Sequence, residues 1–456
     1  MKKKLFNLFA SNLIIASLIM MFIGNLTVAS APTDSENIFD NSLAYMIVNK
    51  VSGYGLVADD YGRSTGIDVW QRTIDNEEPN VNGFMWLLIE AEKPYYWIVN
   101  KASGYGLVAD DYGRSTGIEV WQNTIASDAE LADGFKWEIV SVDGGYHIIN
   151  KASRYGLVAD DYGRSTYIEV WQRPIASDAE LADGFIWNIT KYEKLDCSEK
   201  LILNGGTSPE DIPEIPQLTS LSKIPSAESE RVIIGETLLP FFLVNDPSQQ
   251  SDAIKVKENP YYILRREAYW KRAYYYSYAG KTNVEESQSI TIGLIESETN
   301  IMETTTGFSM TASASASYGG AEASVSATVY SELKVTKSQS TTTDKSETKT
   351  ITRTYVVGTP YAEALWYRVD EYTLMNLNDV VIFQSTWIDA TTKQENAFPE
   401  FEPTPTPTAS PLVSPSVSPT PTPTPDSGFN MPIEYAGGAI VGIAAIVVVI
   451  VLLKRR

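Results

Sequence analysis

The chain of 456 residues is acidic, with 36 Lys and Arg against 57 Asp and Glu and a formal net charge of −21. This balance argues against binding to nucleic acid, whose phosphates require a basic face. The only histidine, His147, stands where Met46 and Trp97 stand in the other two copies of a repeated strand, so we interpret it as a strand residue, which argues against Ser-His-Asp and Cys-His catalysis. With one histidine and one cysteine, Cys197, the chain also lacks the residues for a histidine-based metal site and for a disulfide framework within one chain. A carboxylate pair for glycoside hydrolysis needs no histidine, but no constellation of residues favours it. We therefore expect no enzyme, no metal and no cofactor.

The first 31 residues have the pattern of a signal peptide. Lys2–Lys4 give a positive start, Leu13–Ile23 form an apolar run, and Ala29-Ser30-Ala31 make a small-residue cleavage motif. The apolar run is short for a transmembrane helix, which is the alternative. We therefore expect an exported mature chain.

Residues 42–193 consist of three copies of one pattern. The string VADDYGRST stands at Val57–Thr65, Val108–Thr116 and Val158–Thr166. Each copy opens with a Tyr-x-Ile-x-Asn run, continues with IDVWQ or IEVWQ, and closes with Gly-Phe-x-Trp. Each copy predicts four short strands, in the first copy Tyr45–Asn49, Gly55–Asp59, Ile67–Gln71 and Phe84–Ile89. One copy cannot bury its apolar face alone, but three copies closed about a pseudo-threefold axis, twelve strands in all, can.

The repeated region resembles the ricin B-type β-trefoil lectins, over about Tyr45–Lys191. The resemblance rests on the Tyr-x-Ile-x-Asn opening, the Ser-Gly-x-x-Leu step, the Gly-x-Ser-Thr turn, the Val-Trp strand and the closing Trp. It implies a β-trefoil that binds glycans. The family's Leu-Asp-Val, however, reads Leu56-Val57-Ala58 here, and its Gln-x-Trp reads Phe84-Met85-Trp86. The usual galactose contacts therefore cannot be carried over.

A different polar set remains in each copy: two aspartates, a tyrosine, an arginine and a tryptophan. A carboxylate, an arginine fork and an aromatic plane are the groups that a sugar site needs. The alternative is that Asp60-Tyr61-Gly62-Arg63 is only a turn, with Arg63 paired to a neighbouring Asp. The candidate carbohydrate-binding residues are Asp59, Asp60, Tyr61, Arg63, Trp70, Asp110, Asp111, Tyr112, Arg114, Trp121, Asp160, Asp161, Tyr162, Arg164 and Trp171.

A linker is expected over residues 194–230, where prolines and glycines interrupt a mostly polar stretch. A second, elongated β domain rich in Ser and Thr is expected over 231–398. Arg231–Val244 predicts one or two apolar strands. Asn259–Tyr278 reads as a helix, although its large side chains do not fit one helical face cleanly. Ala362–Trp387 predicts the closing strands.

Small and polar residues alternate within this second domain. Ala312–Val329 predicts a hairpin turning at Gly319-Gly320, flanked by the limbs Ser289–Ile295 and Ile351–Val357. This arrangement resembles the membrane-inserting hairpin of aerolysin-type β-pore-forming toxins, and the domain also resembles a module of bacterial insecticidal crystal toxins. The alternative is a solvated, elongated β stalk, because the apolar face of the hairpin is mostly alanine.

The C-terminal part predicts a spacer and an anchor. Residues 399–430 are rich in Pro and Thr, which favours an extended chain. Ala436–Leu453 is an unbroken apolar run followed by residues 454–456, Lys-Arg-Arg, and so predicts one transmembrane helix with a cytoplasmic tail. Together with the signal peptide, this pattern predicts a single-pass cell-membrane protein whose bulk lies outside the cell.

The overall expectation is a mainly β protein with two alternative roles. The first is a surface-anchored, lectin-like protein that binds glycans or glycoconjugates through several copies at once. The second is a pore-forming, toxin-like effector whose trefoil targets glycans. A homo-oligomer is left open in both cases.

Overall fold

The structure is a computed structural model, and it describes residues 39–115, 117–126, 129–249, 251–294, 305, 328–335 and 346–399. The chain divides into two units, residues 1–401 and 402–456, and all described residues lie in the first. The described residues are mainly β, as expected. They form one twelve-stranded sheet and one six-stranded sheet.

The three sequence copies each fold into four strands, so the predicted trefoil-like region is confirmed. The predicted strands of the first copy are correct to within two residues at their ends. Two one-turn helices, α1 (Ala129–Ala132) and α2 (Ala179–Ala182), lie in the second and third copies. The strands are β1 (Leu43–Asn49), β2 (Gly55–Ala58), β3 (Ile67–Arg72), β4 (Met85–Glu90), β5 (Tyr95–Asn100), β6 (Gly106–Ala109), β7 (Ile118–Asn123), β8 (Lys136–Val142), β9 (Gly145–Asn150), β10 (Gly156–Ala159), β11 (Ile168–Arg173) and β12 (Ile186–Lys194).

The pairing of these strands separates a barrel from a triangular cap. β1 pairs with β4 and β12, β5 with β4 and β8, and β9 with β8 and β12. The hairpins β2–β3, β6–β7 and β10–β11 meet because β3, β7 and β11 pair with one another. The closing tryptophans Trp86, Trp137 and Trp187 are fully buried, and their indole N–H groups donate to the carbonyls of Leu56, Leu107 and Leu157 at 3.0, 2.9 and 2.9 Å. Each of these bonds ties a cap hairpin to the barrel.

The asparagine that ends each opening strand connects one copy to the next. Asn100 is fully buried; its Nδ2 donates to the carbonyl of Gly83 at 2.9 Å, and its Oδ1 accepts from the backbone N–H groups of Ala102 and Ser103 at 3.0 and 3.3 Å. A side chain at Gly62 would collide with the same Oδ1, and Gly62 has a positive φ of 81°. Asn150 and Asn49 repeat this arrangement. The VADDYGRST loop of each copy therefore rests on the opening asparagine of the next copy.

The second domain is an antiparallel sheet of six strands: β13 (Val232–Pro240), β14 (Tyr261–Tyr278), β15 (Val284–Leu294), β16 (Glu347–Tyr355), β17 (Tyr361–Met375) and β18 (Val381–Phe398). The strands pair in the order β13-β14-β17-β18-β15-β16. A short helix, α3 (Asp252–Glu258), precedes β14, with Ser251 as its N-cap. The predicted apolar and closing strands are confirmed at β13, β17 and β18.

The helix expected at Asn259–Tyr278 is wrong. The segment forms β14, an 18-residue strand. It pairs with β17 from Ile263↔Met375 to Tyr278↔Tyr361, and with β13 on its other side. Burial alternates over Tyr262–Ala268, as in a half-buried strand, but one buried position is the charged Arg266 and the next two buried residues, Tyr269 and Trp270, are adjacent. The apolar pattern of the sequence therefore does not show the alternation.

The alternating stretch is described only in part. The flanking limbs are confirmed, since β15 and β16 pair antiparallel, for example at Ser289↔Thr350. Most of the predicted hairpin Ala312–Val329 lies outside the described residues. Its last two residues are not a strand, because residues 328–332 are helical and Val329 is buried.

The trefoil and the sheet share part of their core. The rings of Trp97 and Phe242 meet edge to face with centroids 5.0 Å apart, and Val256 of α3 is buried in the same cluster. Gly104 lies under the start of α3, where a Cβ would be 2.6 Å from the carbonyl oxygen of Asp252. On the other side, Ile215 and Leu218 of the expected linker are buried against Trp366.

The contact at Gly104 predicts that alanine destabilises the protein more at this position than at the equivalent Gly53. Gly104 and Gly53 have similar positive φ values, 75° and 69°, but a Cβ at Gly53 would meet nothing within 4 Å. We expect both alanine variants to be destabilised by about 1 kcal/mol, because alanine is strained in the left-handed backbone conformation. Gly104→Ala should lose roughly 1–3 kcal/mol more, because α3 must move. Thermal unfolding of the two variants measures the difference, and equal stabilities would contradict the packing of α3 on this loop.

The fold class differs from the prediction in one element. The described residues contain no helix with the length and hydrophobicity needed to span a bilayer. The predicted transmembrane helix and the predicted single-pass membrane localisation are therefore not supported. The segments behind these predictions, Met1–Ala31, Pro403–Pro425 and Ala436–Leu453, lie outside the described residues.

Candidate functional site

The second aspartate of each VADDYGRST loop shapes the loop. Oδ1 of Asp60 accepts the backbone N–H of Arg63 at 2.8 Å, and Asp111 and Asp161 accept those of Arg114 and Arg164 at 3.0 Å. These are the bonds of a side-chain-capped turn. The turn interpretation of these three aspartates therefore accounts for one oxygen of each carboxylate.

The tyrosine that follows anchors the loop to its own copy. Tyr61, Tyr112 and Tyr162 have positive φ values of 59°, 58° and 60°. Their rings pack on Phe84, Phe135 and Phe185 with centroids 6.1, 6.0 and 6.0 Å apart. A non-glycine residue with a positive φ is strained, so the surrounding contacts must hold each tyrosine in this backbone conformation. The tyrosine rings are thus half-buried parts of the loop that still border its surface.

The arginines of the loops lie at the surface. The Arg63 guanidinium donates from Nη2 to Oδ1 of Asn80 at 2.9 Å and lies 5.9 Å from the Tyr61 ring centre. Arg114 and Arg164 are exposed as well. Arg63 does not form the expected ion pair with a neighbouring aspartate; it reaches an asparagine.

The first aspartate of two loops is paired with an arginine that the sequence analysis missed. Arg72, at the end of β3, forms an ion pair with Asp59, and Arg173, at the end of β11, forms one with Asp160. Each guanidinium also donates to the backbone carbonyl of its aspartate at 2.8 Å. The signal was available, because the repeated strand reads IDVWQR, IEVWQN and IEVWQR in the three copies.

Trp70, Trp121 and Trp171 lie on the cap strands β3, β7 and β11. They are half-buried, and their indole N–H groups find no hydrogen-bond partner within the described part of the chain. Each tryptophan faces an acidic residue of a neighbouring strand, in the pairs Trp121↔Asp68, Trp171↔Glu119 and Trp70↔Glu169. In the first and third copies, the structure thus brings an aspartate, a tyrosine and a tryptophan together around one arginine. The second copy has the same three residue types at the equivalent positions.

These facing carboxylates predict a dependence of stability on pH. Burial raises the pKa of Asp68, and the nearby Glu119, Glu169 and Asp110 raise it further. A carboxyl whose pKa is higher in the folded state favours folding when protonated, so this contribution is lost as the pH rises from the unfolded-state value through the folded-state value. We expect Asp68→Asn to stabilise the protein at pH 7, by up to about 1 kcal/mol, and to have little effect at pH 3. Thermal unfolding at the two pH values tests this, and the same shift at both would contradict the electrostatic origin.

A cavity of about 580 Å³ lies beside the loop of the first copy. Its lining includes Tyr61, Arg63, Lys101, Cys197 and Lys257 of α3. Lys101 is paired with Glu193, and burial raises the pKa of the Cys197 thiol. The first copy is thus bordered by the second domain. Among the described residues, no group of three or more His, Cys, Asp or Glu side chains could hold a metal ion.

Comparison with protein families matches two segments of the chain. Residues 82–173 match the family described as ricin-type beta-trefoil lectin domain-like. Residues 232–400 match the family described as insecticidal crystal toxin, P42. The predicted resemblances to ricin B-type lectins and to insecticidal crystal toxins are therefore confirmed. No curated protein matches the chain.

One of the similar solved structures covers most of the chain. The crystal structure of Cry35Ab1 is similar over 79% of this chain and 91% of its own, with 19% identity and a TM-score of 0.59. About a third of the chain is similar to the designed threefold-symmetric protein ThreeFoil (22% identity, 33% of this chain and 99% of that one, TM-score 0.29) and to the Rhizoctonia solani agglutinin (16% identity, 34% and 99%, TM-score 0.28). The likeness to Cry35Ab1 shows a shared fold.

Proposed function

We propose that the protein is a non-enzymatic, lectin-like glycan-binding protein that acts through its trefoil. The observation that carries the proposal is the recurrence, in each copy, of a loop aspartate, a tyrosine and a strand tryptophan on a trefoil that matches a lectin-like family. A carboxylate accepts hydrogen bonds from neighbouring hydroxyl groups, and an aromatic ring packs on the apolar face of a sugar. The repeat places this set of side chains at three equivalent positions of the trefoil.

Charge limits the class of glycan. The formal net charge is −21, and the tryptophans face Asp68, Glu119 and Glu169. Like charges that face each other without a partner are unfavourable, so sialylated or sulfated sugars should bind poorly. The proposed ligand is a neutral glycan whose sugar presents neighbouring hydroxyl groups.

A glycan array probed with the intact purified protein tests this function. We expect binding to neutral glycans, and loss of that binding in the triple variant Asp59→Asn, Asp110→Asn, Asp160→Asn. These side chains are exposed, so the fold should be kept. Asp211→Asn, an exposed aspartate outside the trefoil, is the matched control. An empty array for the wild-type protein would refute the proposal.

A second candidate is a membrane-active, toxin-like role. It is favoured by the match of residues 232–400 to an insecticidal crystal toxin family. In this role the trefoil would bring the protein to a glycan-bearing membrane and the second domain would act there, as a single chain or as a homo-oligomer. Liposomes filled with dye and carrying a glycan found on the array provide the test. Dye release by the wild-type protein, absent in the triple aspartate variant, would favour this role over simple adhesion.

A further inference from the structure

We propose that the second copy of the trefoil carries the open sugar site, whereas arginine side chains fill the corresponding sites of the first and third copies. This inference rests on the proposed glycan binding and assigns it to one copy. It follows from a difference between three otherwise nearly identical sequences.

In the first copy, Arg72 occupies the place of a ligand. Its guanidinium lies 5.2 Å from the ring centre of Trp70, 5.8 Å from that of Tyr61 and 5.1 Å from that of Tyr167, while it pairs with Asp59. Its side chain is only 11% exposed. The guanidinium thus covers the aromatic faces and the carboxylate that a sugar would use.

The third copy is filled in the same way. The Arg173 guanidinium lies 5.0 Å from the ring centre of Trp171 and 5.6 Å from that of Tyr162, and it pairs with Asp160. The neighbouring loop contributes Gly117 here, where the first copy has Tyr167. Removing the arginine would therefore open this site more fully than it would open the first.

The second copy has Asn123 at the equivalent position. Oδ1 of Asn123 accepts the Thr65 hydroxyl and the backbone N–H of Thr124, both at 2.8 Å, so this side chain is engaged with its own surroundings. Across the described residues, no cation lies over the ring of Trp121 or Tyr112, and Asp110 forms no salt bridge. In the other copies, an arginine of the chain itself contacts the carboxylate and the ring. In the second copy, both groups are left for a ligand.

Two neighbouring residues, Gly66 and Asp68, further distinguish the second site from the other two. The loop residue beside β7 is Gly66, whose N–H donates to the carbonyl of Gln122 at 2.9 Å and which carries no side chain. The acidic residue that faces Trp121 is Asp68, shorter than the glutamates that face Trp70 and Trp171. Asp68 and Asp110 together make this site acidic, which fits a neutral pyranose and disfavours an anionic one.

The experiment exchanges residues between copies of the intact protein. The probe is an array of neutral and sialylated oligosaccharides, followed by titration calorimetry with the oligosaccharide that gives the strongest signal. Asn123→Arg should fill the second site and weaken binding by about tenfold or more, because a charge-assisted hydrogen bond and an aromatic face are lost. Thr124→Arg adds the same charge at an exposed neighbouring position and should leave binding unchanged.

Arg173→Asn provides the reverse change and should raise the stoichiometry from one site to two. Because arginine and asparagine both occur naturally at this position of the repeat, both variants are expected to fold. Wild-type binding that Asn123→Arg leaves intact but the triple aspartate variant abolishes would overturn the assignment to the second copy and keep the glycan function. If neither the wild type nor Arg173→Asn bound any oligosaccharide, both the glycan function and the assignment of the site to the second copy would be overturned.

Discussion

Replacing Arg266 by methionine is expected to lower the free energy of unfolding by about 3–5 kcal/mol. Arg266 on β14 and Asp370 on β17 are both fully buried, with Nη2 of the arginine 2.7 Å from Oδ1 of the aspartate. Methionine fills a similar volume but leaves a buried carboxylate with Arg368, 3.2 Å away, as its remaining cation. Urea unfolding followed by fluorescence measures the loss.

The loss should also loosen one defined segment. Nη1 of Arg266 donates to the carbonyls of Leu333 and Lys334 at 3.0 and 2.7 Å, and so holds the end of segment 328–335 against the sheet. Limited digestion with trypsin should therefore cleave after Lys334 faster in Arg266→Met than in the wild type. The digestion gives a local readout that a general loss of stability would not single out.

An exposed ion pair of the same domain serves as the control. Arg353 lies 3.0 Å from Glu395, and their side chains are 38% and 48% exposed. Arg353→Met should cost less than about 1 kcal/mol, because water solvates both charges when the pair is broken. Equal costs for Arg266→Met and Arg353→Met would contradict the role assigned to the buried pair.

The repeat made the trefoil predictable. Each strand was supported by three independent versions of the same pattern, so that a polar exception such as His147 on β9 did not obscure it. The contacts between copies were not predictable in the same way. Asn100 reads as an ordinary polar end to a strand, and only the structure shows it fully buried against the loop of the preceding copy.

The second domain was harder because it has no internal repeat. β14 was expected to be a helix, although its large side chains do not fit one helical face cleanly. Long-range pairing with β13 and β17 decides its conformation, and a local pattern carries no record of it. The helical conformation of residues 328–332 was not predicted either. Val329 is buried against the shared core, and this long-range contact interrupts an alternation that otherwise favours a strand.

The sequence predicted candidate residues for the site but not the contacts between them. In the first and third copies, one arginine lies over the tyrosine and the tryptophan and pairs with the first aspartate of the loop. The sequence did not show that Arg72 and Arg173 bond to Asp59 and Asp160, because a contact between adjacent strands of a hairpin depends on register. The substitution of Asn123 for arginine was visible in the sequence but acquired a meaning only with that contact.

Replacing Asn100 by aspartate is expected to lower the free energy of unfolding by about 3 kcal/mol at pH 7. The Nδ2 group that donates to the carbonyl of Gly83 at 2.9 Å would become an oxygen facing an oxygen. Among the described residues, the hydrogen-bond partners of this side chain are all backbone groups, so the new charge would be buried without a cation among its partners. The backbone N–H groups of Ala102 and Ser103 would satisfy only the other oxygen.

The same variant should recover stability in acid. Burial without a cation raises the pKa of the new carboxyl above the ordinary value of about 3.9. Once protonated, it can donate to the Gly83 carbonyl as the amide does in the wild-type protein. Because the folded state then binds the proton more tightly than the unfolded state, stability rises as the pH falls from the folded-state pKa toward the unfolded-state pKa.

Thermal unfolding of Asn100→Asp at pH 8 and pH 5, relative to the wild type at each pH, measures this recovery. Asn245→Asp, at an exposed position outside the trefoil, should differ little from the wild type at either pH. An equal loss of stability at both pH values would mean that the shape of the aspartate side chain, and not its charge, causes the effect. A loss that shrinks in acid would show that the junction between copies depends on the amide donor of Asn100, and the pseudo-threefold arrangement then requires the same of Asn49 and Asn150, which donate to the carbonyls of Gly184 and Gly134.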